Sequence, residues 1–222
     1  MKVNYNKLLG NHFPSGVRFI VIVNSSQVSH EQMYFLMIQA VIPRPIAWVL
    51  SDNGGSFNLA PFSFFNAITS EPPILMISVG WKDDAVRKDT WVNIQERSDF
   101  VVHIPSEEHA STVVATSAAL SHGDSELTKS NLQTEYVDGF RLPRIVGPRI
   151  AFFCQKHKII EIGSAPQALI LGEIKIIWMD DAIVSTNNGR IKVDPAKLNP
   201  LARLGGAGYS SLGKTFEIKR PS

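Results

Sequence analysis

Two short segments of this 222-residue chain combine residue types that could bind a cofactor. The first, Asn58-Leu-Ala-Pro-Phe-Ser-Phe-Phe-Asn66, places aromatic rings, a proline and a hydroxyl between two asparagines. Proline cannot donate to a strand ladder, so this is not the pattern of an ordinary central strand. Polar backbone groups beside apolar side chains suit a flat, partly polar ring. A bulged strand that feeds the hydrophobic core explains the same residues, and on spacing alone it is the more frequent case.

The second segment is Arg87-Lys88-Asp89-Thr90, which combines two cations, a carboxylate and a hydroxyl. The following residues favour a short helix, and the first turn of a helix offers unpaired N–H groups and a positive dipole end. This combination predicts an anion-binding site. The alternative is a solvated surface turn with Asp89 as the N-cap, which spacing alone favours.

Other kinds of site have little support in the sequence. There is no Gly-x-Ser-x-Gly motif, and the single cysteine, Cys154, lies in an apolar segment, where a buried and unreactive thiol is expected. The six histidines form no His-Glu-x-x-His pattern, so no metal site is predicted. His103, on a predicted strand, and His122, in a glycine-containing loop, remain candidates for a role with protons or substrate.

The composition predicts one globular domain. Hydrophobic residues make up 44% of the chain and charged residues 19%. The 22 Lys and Arg residues against 20 Asp and Glu residues argue against nucleic acid as a partner. Residues 19–23 form the longest early apolar run, which is too short to cross a membrane, and the N-terminus does not resemble a signal peptide. A cytoplasmic location without an internal disulfide is therefore expected.

The elements that would position the two segments are mostly short strands. A Ser29-x-x-Gln32 capping box predicts a helix that ends before Pro43, with a buried face formed by Met33, Leu36, Met37 and Ala40. An Asn53-Gly54 turn predicts a hairpin. Strands are predicted at residues 17–23, 46–50, 57–62, 74–79, 100–104, 151–162 and 168–179. Short helices are predicted at 90–95 and from Ser106 to residue 119, and residues 121–149 are predicted to be a loop. The pattern favours a closed or partly closed barrel.

Five motifs in one order resemble the flavin reductase-like family of FMN-binding split barrels, and the flavoredoxin branch in particular. They are Arg44-Pro45-Ile46; the segment 58–66 followed by Pro72-Pro73; Lys88-Asp89-Thr90 with Asn93-Ile94; Phe100-Val-Val102 followed by Thr116-Ser117; and Arg203-Leu-Gly-Gly206 with Tyr209. The resemblance covers residues 29–222, which leaves residues 1–28 as an N-terminal extension. It implies a mainly β fold with α additions (α+β), namely an FMN-binding split β-barrel of the Greek-key type.

The resemblance also implies a set of site residues. Lys88 and Thr90 would bind the cofactor phosphate, and Asp89 would cap or orient the helix. Residues 60–64 would face the isoalloxazine ring, and Tyr209 would approach the flavin. The flavin itself would supply the hydride chemistry, so no catalytic residue is assigned, and Tyr209 and, from its residue type alone, His122 are the candidates. The implied cofactor-binding residues are Arg44, Asn58, Ala60, Pro61, Phe62, Ser63, Phe64, Asn66, Arg87, Lys88, Asp89, Thr90, His103, Arg203, Gly205 and Tyr209.

Some of these assignments have equal alternatives. Asn58 and Asn66 could be turn residues that bond to their own backbone, and Arg44 could form a salt bridge at an interface. Family members commonly carry Asn where this chain has His103. The Ser121-His-Gly-Asp-Ser125 loop also departs from the family, so the substrate cannot be carried over.

The function implied is that of an FMN oxidoreductase, reduced by NADH or NADPH, that passes electrons to a flavin or another small acceptor. An FMN electron carrier without nicotinamide activity, and a non-catalytic flavin- or haem-binding module, are the alternatives. A homodimer is expected, and a redox protein is a further candidate partner. No nucleic-acid or membrane partner is expected.

Overall fold

A computed structural model describes residues 2–4, 20–83, 86–118, 125–164, 167–219 and 221. The chain divides into two compact units, residues 1–42 with 205–207 and residues 43–204 with 208–222. The predicted boundary at residue 28 stays a prediction. Within the described residues, no helix is long and apolar enough to cross a membrane.

The first unit contains two short strands and one helix. The elements are β1 (Lys2–Asn4), β2 (Ile20–Ile22), a 3-10 helix (Ser25–Gln27) and α1 (His30–Ala40). Strands β1 and β2 pair in parallel, and residues 17–19 of the predicted strand lie outside the described residues. The capping box of α1 is confirmed: the Ser29 hydroxyl accepts from the Gln32 backbone N–H, and the Gln32 side chain accepts from that of Ser29.

The predicted buried face of α1 is wrong. Ile38 is the helix residue that is buried, whereas Met37 is 48% exposed and Ala40 is also exposed. Tyr34 and Phe35 are about half exposed as well. The 3.6-residue periodicity predicted the helix correctly, but it did not predict which face of the helix is buried within a single chain.

The second unit is built on a seven-stranded antiparallel sheet. Its strands, in chain order, are β4 (Ala47–Asp52), β5 (Phe57–Phe62), β6 (Phe65–Ser70), β7 (Pro73–Val79), β10 (Asp99–His103), β13 (Ile150–Ile162) and β14 (Gln167–Met179). The order in the sheet is β5-β4-β10-β13-β14-β7-β6. The β13–β14 hairpin separates β7 from β10, so the connection between them passes two strands, as in a Greek key.

Smaller elements surround this sheet. The short strands are β3 (Arg44–Pro45), β8 (Trp81–Asp83), β9 (Val86–Arg87), β11 (Thr134–Glu135), β12 (Arg144–Ile145), β15 (Val184–Asn187), β16 (Arg190–Val193), β17 (Ala202–Arg203) and β18 (Tyr209–Ser210). The helices are α2 (Asp89–Arg97), α3 (Ala110–Ala115), α4 (Glu126–Lys129), α5 (Pro195–Leu198) and 3-10 turns at Glu107–His109 and Asp181–Ile183.

Most predicted strands are confirmed, and the expected class, mainly β with α additions, is correct. The prediction for residues 106–119 needs a correction. Ser106 caps a 3-10 turn, α3 follows it and ends at Ala115, and Thr116 and Ser117 form a turn. Strand β6 was not predicted, and the predicted loop 121–149 includes α4, β11 and β12.

The β4–β5 hairpin is confirmed, but its positive φ angles lie one residue later than predicted. Gly54 and Gly55 have φ of 75° and 130°, and Asn53 donates its backbone N–H to the Ser56 carbonyl. The Asp52 carboxylate accepts from the Gly54 N–H at 2.8 Å. Glycine is needed here because both residues adopt conformations that side chains disfavour.

Hydrophobic clusters cover the two faces of the sheet. Core A contains Val49, Phe62, Phe100 and Val102, and core B contains Trp48, Leu50, Leu59 and Val101. Neighbouring residues of β4 and β10 thus alternate between the cores, as strand geometry requires. Cys154 is buried in core A, and burial raises the pKa of its thiol, so the expected inert cysteine is confirmed.

His103 lies on the core B side of β10 and is completely buried. Its Nδ1 is 3.0 Å from the Trp48 carbonyl oxygen, and its Nε2 is 2.9 Å from the Ile145 backbone nitrogen. Because the Ile145 N–H must donate to Nε2, the neutral ring carries its proton on Nδ1 and donates to Trp48. Burial lowers the pKa of His103 from 6.5 to about 4.

We expect His103 to make folding stability depend on pH. Between pH 6.5 and about 4 the unfolded chain binds a proton at this residue and the folded chain does not, so stability is lost as the pH falls through this range. The full loss corresponds to roughly 3 kcal/mol. Urea unfolding of the wild type should therefore show an unfolding free energy that rises with pH over this range. His103→Asn should flatten the slope, whereas His30→Gln, at an exposed position, should not; equal slopes in all three proteins would contradict this prediction.

Candidate functional site

A surface cavity of about 310 Å³ lies beside strand β5 in the second unit. One wall is formed by β5 itself, with Ala60, Pro61 and Phe62, and another by the start of α2. The described residues that line it are Asn58, Ala60, Pro61, Phe62, Trp81, Lys82, Lys88, Asp89, Thr90, Thr116, Ser117, Ala118 and Glu126. The two segments that the sequence indicated as binding segments therefore meet at one cavity.

The N-terminus of α2 opens on this cavity without a side-chain cap. Lys88 is the N-cap residue, and Asp89 is the first helical residue rather than the N-cap. The Lys88 carbonyl accepts the first helical bonds, from the N–H groups of Trp91 and Val92. A nine-residue helix with an uncapped first turn has N–H groups and a dipole end that favour an anion.

A buried polar network fixes Thr90 at this position. Asn58 Nδ2 donates to Thr90 Oγ1 at 2.9 Å, which leaves the threonine hydroxyl hydrogen for a further acceptor. The hydroxyl of Ser51 accepts from Asn93 Nδ2 at 3.1 Å. These bonds tie β4 and β5 to α2, and Asn58 acts as a buried link between elements rather than as a turn residue in this structure.

The open edge of β5 is covered by the start of α4. Glu126 Oε2 accepts from the Leu59 backbone N–H at 2.9 Å, and Ser125 Oγ donates to the Phe57 carbonyl at 2.6 Å. Residues 57, 59 and 61 direct their backbone groups to the same side of the strand. Pro61 can therefore sit within β5, because the N–H that it lacks would point away from β4.

Charged side chains of both signs surround the cavity. The Lys88 ammonium lies 5.6 Å from the centre of the Phe62 ring, and partial burial lowers the pKa of Lys88, although the residue as a whole is exposed. Lys82 pairs with Asp89, with 3.6 Å between Nζ and Oδ2. Burial raises the pKa of Glu126, Asp89 adds to this effect, and the Leu59 N–H bond opposes it.

A second group of predicted residues clusters on the three-stranded sheet β18-β17-β3. Arg44 is buried; its Nε lies 3.3 Å from Ser63 Oγ, and its Nη2 donates to the Leu204 carbonyl at 3.1 Å. The Arg44 guanidinium also lies 5.9 Å from the Phe64 ring centre. The Arg203 guanidinium lies 4.4 Å from the Tyr209 ring centre. Ser63 directly follows Phe62, so the chain connects this group to the cavity wall.

Other predicted residues are not part of the cavity lining. Arg87 bonds to Gln95 and Glu161 and stacks 4.5 Å from the Trp91 ring centre. The exposed Asn66 accepts from the Ala67 backbone N–H, a local bond of the kind that the turn interpretation proposed. His103 belongs to core B.

Two further predicted residues cannot be related to the cavity. Gly205 belongs to the first compact unit, where an added Cβ would come within 2.4 Å of the Gln39 side chain. His122 lies outside the described residues.

Several lining residues were not identified as site residues from the sequence. Trp81 and Lys82 follow β7 without a recognisable motif, and Glu126 lies in a polar segment that resembled a loop. Thr116 and Ser117 belong to one of the family motifs, which could have identified them, but the motif did not indicate a binding role for either residue. Glu126 reaches the cavity through a long-range contact with Leu59, and no local sequence pattern encodes such a contact.

Known proteins resemble this chain over most of its length. A family model described as "Flavin reductase like domain" matches residues 39–192. The chain is 35% identical over 206 residues to "Uncharacterized protein YwrF" of Bacillus subtilis (strain 168), which covers 90% of this chain and 99% of that protein.

Solved structures are similar as well. Nitrilotriacetate monooxygenase component B from Bacillus cereus is 28% identical, with a TM-score of 0.84 over 91% of this chain and 100% of that one. The 2-nitrobenzoate 2-nitroreductase NbaA of Pseudomonas fluorescens is 29% identical, with a TM-score of 0.80 over 90% of this chain and 96% of that one. The split β-barrel fold predicted from the sequence is confirmed. The chain belongs to the flavin reductase-like domain family.

Proposed function

We propose that this protein is an FMN-dependent oxidoreductase that takes electrons from NADH or NADPH and delivers them to a flavin or another small acceptor. The observation that carries the proposal is the meeting of the α2 N-terminus with the β5 wall at one cavity. Two similar proteins have oxidoreductase names, one a monooxygenase component and the other a nitroreductase. The NADH or NADPH dependence, which the family resemblance implies, and the cytoplasmic location stay predictions.

The chemistry of the lining fits FMN. An uncapped helix start, the Lys88 ammonium and the Thr90 hydroxyl form a donor set for a phosphate. Ala60, Pro61 and Phe62 offer an apolar wall for a planar ring. The cavity volume of about 310 Å³ lies at the lower end of the usual range for ligand sites, about 300–1,000 Å³.

When bound, FMN supplies the redox chemistry, because its ring accepts a hydride and later gives up the electrons. The chain's own residues position the cofactor. Lys88 and Thr90 would hold the phosphate, Asn58 keeps Thr90 in place, and the β5 wall would pack against the ring. Catalysis by positioning requires no acid–base pair from the protein.

We expect the purified protein to bind FMN, and Lys88→Ala to weaken FMN far more than riboflavin. Loss of a charge-assisted hydrogen bond should lower the affinity for FMN on the order of tenfold or more. Thr90→Ala should act in the same direction, and Thr90→Ser, which keeps the hydroxyl, should retain most of the affinity. Fluorescence quenching measures both ligands.

The exposed Lys192 on β16 provides a control, because Lys192→Ala removes one positive charge, as Lys88→Ala does, but at a position outside the cavity. Equal losses of FMN and riboflavin affinity would show that Lys88 and Thr90 support the fold. A protein that binds no FMN would overturn the proposal.

We also expect NADH or NADPH to bleach the bound flavin under anaerobic conditions, at a rate that saturates with nicotinamide. Hydride transfer requires the two rings to approach within about 3–3.5 Å. The exposed face of the flavin must therefore be open to the nicotinamide, and we propose that Tyr209 forms one wall of this opening. Tyr209→Ala should then change the reduction rate and leave FMN bound. Tyr209→Phe, which keeps the ring beside Arg203, is the matched control. Reduction by dithionite but by neither nucleotide would favour the electron-carrier alternative.

A homodimer is the third expectation, since the first unit exposes many large apolar side chains. They are Val21, Ile22, Tyr34, Phe35, Met37, Val41 and Ile42, each between 47% and 61% exposed. Apolar surface of this kind marks association sites. Light scattering at micromolar concentration should give the mass of two 24.5-kDa chains.

The same surface provides the test of where the dimer forms. Phe35→Glu should dissociate the dimer, because a charge would be buried at the interface. Ile191→Glu, at a position 62% exposed on β16, should not. A monomeric wild type with FMN bound would contradict the expectation.

A further inference from the structure

Glu126 is a buried carboxyl group on the cavity wall to which the proposed chemistry gives no role. The residue is 7% exposed, and its Oε2 accepts from the Leu59 N–H. A buried carboxylate beside a site for a phosphate is unfavourable, because two like charges repel strongly where water is excluded.

The other charges around the cavity do not offset this repulsion between the Glu126 carboxylate and a phosphate. The described lining side chains carry two ammonium groups, Lys82 and Lys88, and two carboxyl groups, Asp89 and Glu126. Lys82 is already paired with Asp89 at 3.6 Å. Lys88 must then balance both Glu126 and any phosphate that enters, and a phosphate dianion would leave the site with net negative charge.

We propose that Glu126 takes up a proton from solvent when an organic phosphate binds in this cavity, so that its neutral carboxyl group tolerates the anion. The inference rests on the proposed function, because FMN is the phosphate concerned.

The hydrogen bond from the Leu59 N–H is compatible with this change. Oε2 keeps the Leu59 N–H bond as the carbonyl oxygen of the acid, and the other oxygen carries the proton as a donor. Burial already raises the pKa of Glu126 in the free protein, and Asp89 adds to this effect, whereas Lys82 and the backbone N–H groups of Leu59 and of Glu126 itself oppose it. An approaching anion adds to this effect in the same direction.

Calorimetry of FMN binding in two buffers of different ionisation enthalpy measures the proton directly. At about pH 7.5 the FMN phosphate is already a dianion, since its second pKa is about 6. The wild type should take up roughly one proton per FMN, and its affinity should fall up to about tenfold per pH unit above neutrality. Glu126→Gln keeps an acceptor for Leu59 and should bind FMN without proton uptake and with little dependence on pH.

Riboflavin and a remote variant complete the test. Riboflavin lacks the phosphate and should bind without proton uptake, and Glu217→Gln, at an exposed position, should behave as the wild type. If Glu126→Gln fails to fold, difference infrared spectroscopy of the wild type should still show a protonated carboxyl band on adding FMN but not riboflavin.

Each result separates this inference from the function on which it rests. FMN binding without proton uptake, or with equal uptake in Glu126→Gln, overturns the role of Glu126 and leaves the oxidoreductase proposal standing. A protein that binds no FMN overturns both.

Discussion

In the part of the chain that the structure describes, β5 is an edge strand of the seven-stranded sheet: β4 pairs with one of its edges, and the candidate site lies at the other. Its unpaired backbone groups must be satisfied, because buried N–H and C=O groups without partners are costly. Ser125 and Glu126 supply those partners from the start of α4, and Pro61 removes a donor that would otherwise need one. Because the edge of β5 needs hydrogen-bonding partners, the start of α4 and the carboxyl group of Glu126 lie at the cavity.

The other wall depends on a polar network instead of an apolar contact. Asn58 lies on β5 and Thr90 on α2, and the bond between their side chains is buried. A buried polar group without a partner costs about 1–3 kcal/mol, so Asn58 and Thr90 stabilise each other's position. The same bond orients the Thr90 hydroxyl at the helix start, where an anion would bind. The structural role of Thr90 therefore coincides with its proposed binding role, which is why its serine variant is more informative than its alanine variant.

The sequence predicts this fold well where local pattern and tertiary structure agree. The apolar runs of β13 and β14, the Ser29 capping box and the glycine-containing turn after Asp52 were recognised because each signal is local. Residues 47–50 form an unbroken apolar run rather than an alternating one, because both faces of β4 are covered. By contrast, α1 has a helical pattern whose apolar residues are largely exposed in one chain, because periodicity indicates an apolar face but not whether the same chain covers it.

The same distinction explains which site residues were found. Lys88 and Thr90 lie at a helix start, and the β5 residues surround a proline, so local chemistry made them candidates and the family resemblance assigned them to the cofactor. Glu126 lies 67 positions from the Leu59 N–H that it accepts, and only the fold brings the two together. His103 shows the opposite case, since its residue type suggested chemistry while both ring nitrogens serve the backbone of core B. A titratable side chain is thus a sound candidate for function only when the groups around it leave an atom for a ligand. Glu126 holds β5 through Oε2 and lines the cavity as well, which is why a role in binding is proposed for it.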